Sequence, residues 1–148
     1  MTTAYTTDLC LWAQQQAALL DAGRLDALDQ ANLARQMLAL AEQIQDDAGR
    51  NLRVLLECAV RLAFGAPAEH RVAAKVTASR RNRLLDSLAR APSIRPRLQA
   101  DLQQTWLRAC QTESKDCARA GVPLPALPTA CPWTLEQLLD PAMLFGAS

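Results

Sequence analysis

An all-α fold is what this sequence predicts, and three observations carry the prediction. The chain holds 28 Ala and 25 Leu against 5 Val and 2 Ile. Ala and Leu are strong helix formers, whereas β-branched residues favour strands. Apolar residues recur at steps of three and four rather than two. Turn-forming glycines and prolines fall between these periodic runs or in their first turns, Gly49 apart. At 148 residues the length suits one domain, read as a single bundle of five to six helices over 1–148.

The first helix is expected near residues 8 to 22. Tyr5-Thr6-Thr7-Asp8 precedes it, with a Thr able to accept from the first free N–H groups. Leu9, Trp12, Ala13, Gln16, Leu19 and Leu20 share a face, and Gly23 suits the stop. Asp29 can cap the next element. Leu33, Met37, Leu40, Ile44, Ala48, Leu52, Leu55, Ala59 and Leu62 then follow in phase. That stripe fits one helix over 30–64, or two helices meeting near Asp46-Asp47-Ala48-Gly49. A mid-helix glycine costs about 1 kcal/mol, which favours the break.

Pro67 suits the first turn of a helix running to about Arg90, before Ala91-Pro92. Ser93 is the expected cap of a further helix, with Pro96 tolerable in its first turn and Gly121 as its stop. Residues 122–133, with Pro123, Pro125, Pro128 and Pro132, read as an extended strap. Thr134-Leu135-Glu136-Gln137 is a capping-box pattern that opens a short last helix, 134–140.

No apolar run is long enough for a transmembrane helix, and no basic cluster leads an apolar core at the N-terminus. The five cysteines, Cys10, Cys58, Cys110, Cys117 and Cys131, are irregularly spaced, which fits a reducing, cytoplasmic setting and small buried hydrophobes. The lone His70 has no spacing relation to any Cys that suggests a nucleophile pair. Zinc-type spacings, glycine-rich phosphate loops and Glu-x-x-His motifs are lacking. Neither a catalytic set nor a metal or cofactor site is expected.

Charge is the uneven feature. Residues 1–70 carry −4, residues 71–97 carry +7, and residues 98–148 carry −2. The basic segment comprises Arg71, Lys75, Arg80, Arg81, Arg83, Arg90, Arg95 and Arg97. It can dock an acidic protein, hold nucleic-acid phosphates, or be neutralised internally by the acidic first half. The candidate interaction surface is Arg71, Lys75, Arg81, Arg83, Arg90, Arg95 and Arg97, together with the proline strap and an exposed apolar tail, Leu138, Met143, Leu144 and Phe145. Arg80 falls in the Val72-Val76-Leu84-Leu88 ridge, so it is expected to be buried and to face a carboxylate or backbone carbonyls. The segment lacks interleaved aromatics for base stacking, which places the protein-partner reading ahead of nucleic acid. A homodimer is open, although no heptad seam with flanking charges demands one.

Several motifs in order resemble one bacterial family. Tyr5-x-x-Asp8-x-x-x-Trp12 and Gly23-Arg24-x-Asp26-x-x-Asp29-x-x-Asn32-Leu33 are similar to its opening. Arg80 falls at its Gln-Arg helix motif, Pro92-Ser93-Ile94-Arg95-Pro96 resembles its Pro-Ser-Leu-x-Pro turn, and Cys131-Pro132-Trp133-Thr134-Leu135-Glu136-Gln137-Leu138-Leu139 resembles its closing segment. This is the "domain of unknown function 29" family, and the resemblance implies an all-helical fold without a settled activity. The chain departs from the pattern in three places. Arg35-Gln36 replace an acidic pair, Arg61-Leu62-Ala63-Phe64 replace a Lys-Trp pair, and Val72 stands near an expected Trp. Read as a whole, the sequence predicts a non-enzymatic interaction or regulatory module, antitoxin-like in its reliance on another protein, with a nucleic-acid-binding domain as the alternative and an uncharacterised enzyme third.

Overall fold

The computed structural model describes residues 3–143 and residue 145. Those residues form six α-helices and no strand: α1 Thr3–Thr7, α2 Leu9–Asp21, α3 Gln30–Phe64, α4 His70–Arg90, α5 Arg95–Arg119 and α6 Leu135–Leu139. The chain is all-α. None of these helices is long and apolar enough to cross a membrane. The chain divides into two compact units, Met1–Gln43 and Ile44–Ser148.

In the first unit, Asp8 rather than a Thr caps α2. Its carboxylate accepts from the Leu11 amide at 2.9 Å, while Thr6 and Thr7 belong to α1. Gly23, at φ +66°, supplies the left-handed residue that ends α2. The Arg24 amide donates to the Leu19 carbonyl and the Gly23 amide to the Leu20 carbonyl, the two bonds of a Schellman stop. Gly121, at φ +77°, ends α5 in the same way, through Val122 to Cys117 and Gly121 to Ala118.

The expected break at Gly49 does not occur, and α3 is continuous from Gln30 to Phe64. One glycine costs about 1 kcal/mol. The second half of the same helix buries Ala48, Leu52, Leu55, Leu56, Ala59 and Val60 almost completely. At about 1.5–3 kcal/mol per large apolar side chain, that burial outweighs the glycine.

The core of the second unit joins these α3 residues to Leu84 and Leu88 of α4, Ile94, and Leu98, Trp106 and Ala109 of α5, with Leu135, Leu138 and Leu139 of α6. Pro92–Ile94 forms a 3-10 turn that runs directly into α5, so Ser93 is not a cap; Ile94 holds that position and no side chain accepts there. Pro96 sits in the first turn and brings no N–H, which leaves less for a capping serine to satisfy. Thr134 does cap α6, accepting from the Gln137 amide while the Gln137 side chain accepts from the Thr134 amide.

Between Gly121 and Thr134 the chain has neither helix nor strand. Leu124 and Leu127 pack on the core. The Trp106 indole donates to the Pro128 carbonyl at 3.0 Å, the Gln103 side-chain nitrogen donates to the Thr129 carbonyl, and the Cys131 amide donates to the Gln103 side-chain oxygen. The strap is thereby fastened to α5.

Candidate functional site

The basic helix α4 presents two faces. Ala73, Thr77, Arg81, Leu84 and Leu88 point inward, with steps of four, four, three and four. At 100° per residue this set drifts by only about 60° over its length, whereas the strict i, i+4 ridge from Val72 to Leu88 drifts by about 160°. Val72 accordingly lies exposed, and the buried arginine is Arg81, not Arg80.

Arg81 is 5 % exposed. Its Nε donates to the Leu138 carbonyl at 2.9 Å and an Nη to the Met143 carbonyl at 3.4 Å, with the guanidinium over the Phe145 ring. Burial lowers its pKa, partly offset by Asp140. Arg81 therefore leaves the candidate surface and serves as an internal clamp on the last turn of α6. Arg80 is half-buried and donates to the Asn51 side-chain oxygen at 3.2 Å. The apolar tail also turns inward: Leu138 and Phe145 are buried, Met143 packs on the core, and Leu144 lies outside the described residues.

The remaining basic residues separate by position. Arg80, Arg83 and Arg90 line a groove of about 540 Å³ with Arg50 and Arg53 of α3, together with Asp47 and Asp86. Arg97 lies in a second groove, of about 510 Å³, which shares Arg50 and Arg53 and adds Arg108, Asp46 and Asp101. Neither lining contains an aromatic residue.

Arg50 pairs with Asp47, Arg53 with Glu57, Arg97 with Asp101, and Arg95 with Glu136. No ion pair joins residues 71–97 to the acids of the first half among the described residues. Among the described residues Arg83 and Arg90 have no ion-pair partner, and both are exposed. Arg71 and Lys75 are exposed near the start of α4, outside both groove linings. Regional charge sums hid Arg50 and Arg53 within an acidic half; three residues apart on a helix, they face one side together.

A second constellation lies in the first unit. Asp29 accepts from the Asn32 side chain at 2.7 Å, the Asn32 amide at 3.3 Å and the Trp12 indole at 3.3 Å, which fulfils its expected capping role. The Asn32 side-chain bond leads the effects that hold its carboxyl below the ordinary value. Its own amide donates to Gln16. Arg35 donates to Asn32 and lies over the Tyr5 ring, while Gln36 donates to the Tyr5 hydroxyl. Four residues of the opening motif, Tyr5, Trp12, Asp29 and Asn32, are thus in contact with one another, and Arg35 and Gln36, where an acidic pair was expected, are built into the same network.

The groups with catalytic potential are held otherwise. A ring nitrogen of His70 lies 3.3 Å from the Gly65 carbonyl. Burial pushes the Cys58 thiol up, and raises Cys110 to about 11. Glu113, 2 % exposed, accepts from Arg61 across α5 and α3. No cluster of three metal-ligating side chains occurs among the described residues.

A protein-family model described as "Domain of unknown function DUF29" matches residues 4–144. The chain belongs to this family. No curated protein and no solved structure matches it. In this DUF29 chain, the Tyr5–Asn32 segment that carries the opening motif forms a hydrogen-bonded frame. Closing-segment residues Thr134, Gln137 and Leu138 cap α6 and anchor Arg81.

Proposed function

We propose that this protein is a non-enzymatic interaction module whose α3–α4 groove docks an acidic segment of another protein, in the cytoplasm. The observation that carries the reading is the pair Arg83 and Arg90. Both are exposed, neither has an ion-pair partner among the described residues, and both line one groove with Arg50, Arg53 and Arg80. Five guanidiniums against two carboxylates give that lining a positive field. Arginine forks match carboxylates bidentately. Phosphates share that geometry, but the groove lacks aromatic platforms for bases.

Fluorescence anisotropy with an Asp/Glu-rich peptide, and separately with single-stranded and duplex oligonucleotides, tests this. Peptide binding that weakens as salt screens the groove supports it. Binding of oligonucleotides alone replaces it with the nucleic-acid reading, and no binding at low salt removes it.

A further inference from the structure

Among the described glycines, all but one have a reason inside the fold. Gly23 and Gly121 take positive φ, and a Cβ on Gly65 would strike the Arg61 carbonyl. Gly49 has neither reason. Its φ is not positive, it sits in the interior of α3 where glycine is unfavourable, and a Cβ there meets nothing within 4 Å. The space left open by the missing side chain belongs to the second basic groove, between α3 and α5, which Gly49 lines with Arg50, Arg53, Arg97 and Arg108.

That groove continues the α3–α4 groove, because Arg50 and Arg53 line both. Together the two linings hold seven arginines against four aspartates. Arg108 repeats on the α5 side what Arg83 and Arg90 show on the α4 side: it is exposed and has no ion-pair partner among the described residues. Resting on the docking reading above, we propose that the acidic segment does not end in the α3–α4 groove but crosses α3 and lies against Gly49 in the α3–α5 groove, with Arg108 taking a carboxylate at its far side.

Each part of the path has its own chemistry. Glycine is the residue that lets a partner's main chain approach a helix closely, and the exposed Gln104 amide in the same lining can both donate to and accept from that main chain. Packed helices lie about 8–10 Å apart, so the way from α4 over α3 to α5 is about 20 Å, which about six extended residues cover. An acidic protein segment suits this path better than a nucleic-acid strand, since neither lining offers an aromatic face for bases. A residue that weakens its own helix while opening a charged groove is what a trade of stability against binding produces.

The test is anisotropy titration of an Asp/Glu-rich peptide of about ten residues, long enough for both grooves, against variants of the full chain. Gly49→Gln fills the opening with a neutral, helix-favouring side chain; it is expected to weaken binding about tenfold while melting no lower than the wild type. Arg108→Gln is expected to weaken binding about threefold or more. Lys115→Gln removes the same charge from α5 outside both linings and is expected to change binding by less than about twofold. Should Gly49→Gln melt lower, the contrast between Arg108→Gln and Lys115→Gln decides. Unchanged binding by Gly49→Gln and Arg108→Gln, with Arg83→Gln and Arg90→Gln together still weakening it, overturns the crossing and leaves the docking reading standing. A wild type that binds no acidic peptide, or that binds oligonucleotides alone, overturns both.

Discussion

The Arg81 guanidinium donates from Nε to the main-chain carbonyl of Leu138 at 2.9 Å, across 57 residues of chain. A five-residue helix leaves its last carbonyls without intrahelical partners. A buried cation from α4 satisfies one of them, and another nitrogen of the same guanidinium donates to the Met143 carbonyl in the loop that follows.

Arg81→Ala is therefore expected to cost about 3 kcal/mol, because it strands two carbonyls and opens a cavity beside Phe145. Arg80→Ala, next in sequence but half exposed, is expected to cost less than about 1 kcal/mol. Urea unfolding of both variants checks the contrast; equal losses would refute it.

Gly49 sits in unbroken helix, and a Cβ placed there meets nothing within 4 Å. Gly49→Ala is expected to stabilise the protein by about 0.5–1 kcal/mol through lower entropy of the unfolded chain and better helix propensity. Chemical denaturation reads this directly, and a destabilised variant would mean that α3 bends at this point.

Asp29 has its carboxyl held below the ordinary value, first by the Asn32 side chain. Its stabilising effect is thus complete above the unfolded value of about 4 and fades as pH falls through the lower folded value. Asp29→Asn is expected to lose stability near neutrality and to converge on the wild type in strong acid. The Trp12 indole N–H resonance, which reports the bond to Asp29, follows both.

Cys10 is exposed, Cys58 and Cys117 are buried, and Cys110 is raised to about 11 by burial. Alkylation in the native state at mildly alkaline pH is expected to modify Cys10 first and Cys110 far more slowly, because the thiolate is the nucleophile. Peptide mass mapping over time reads the order.

What the sequence made legible was local. Gly23, Gly121 and Thr134, and Asp29 in its bonds to Asn32, act within three to five residues of themselves, so these roles follow from type and spacing. The all-helical architecture follows from composition and period in the same way. Ser93 misled because the proline that precedes it sets a 3-10 turn, which removes the need for a cap. Arg80 misled because a ridge of strict fours drifts around a helix, and the inward face of α4 belongs to Arg81. The groove was beyond regional charge sums, since it takes Arg50 and Arg53 from a segment of opposite net charge.

The docking groove is tested most directly by anisotropy titration of an acidic peptide against paired variants. Arg83→Gln with Arg90→Gln, both in the groove, is expected to weaken binding by about tenfold or more. Arg71→Gln with Lys75→Gln, equal in charge removed but outside the groove, is expected to change it by less than about threefold. Equal losses in the two pairs, or undiminished binding by the groove variant, would contradict the account.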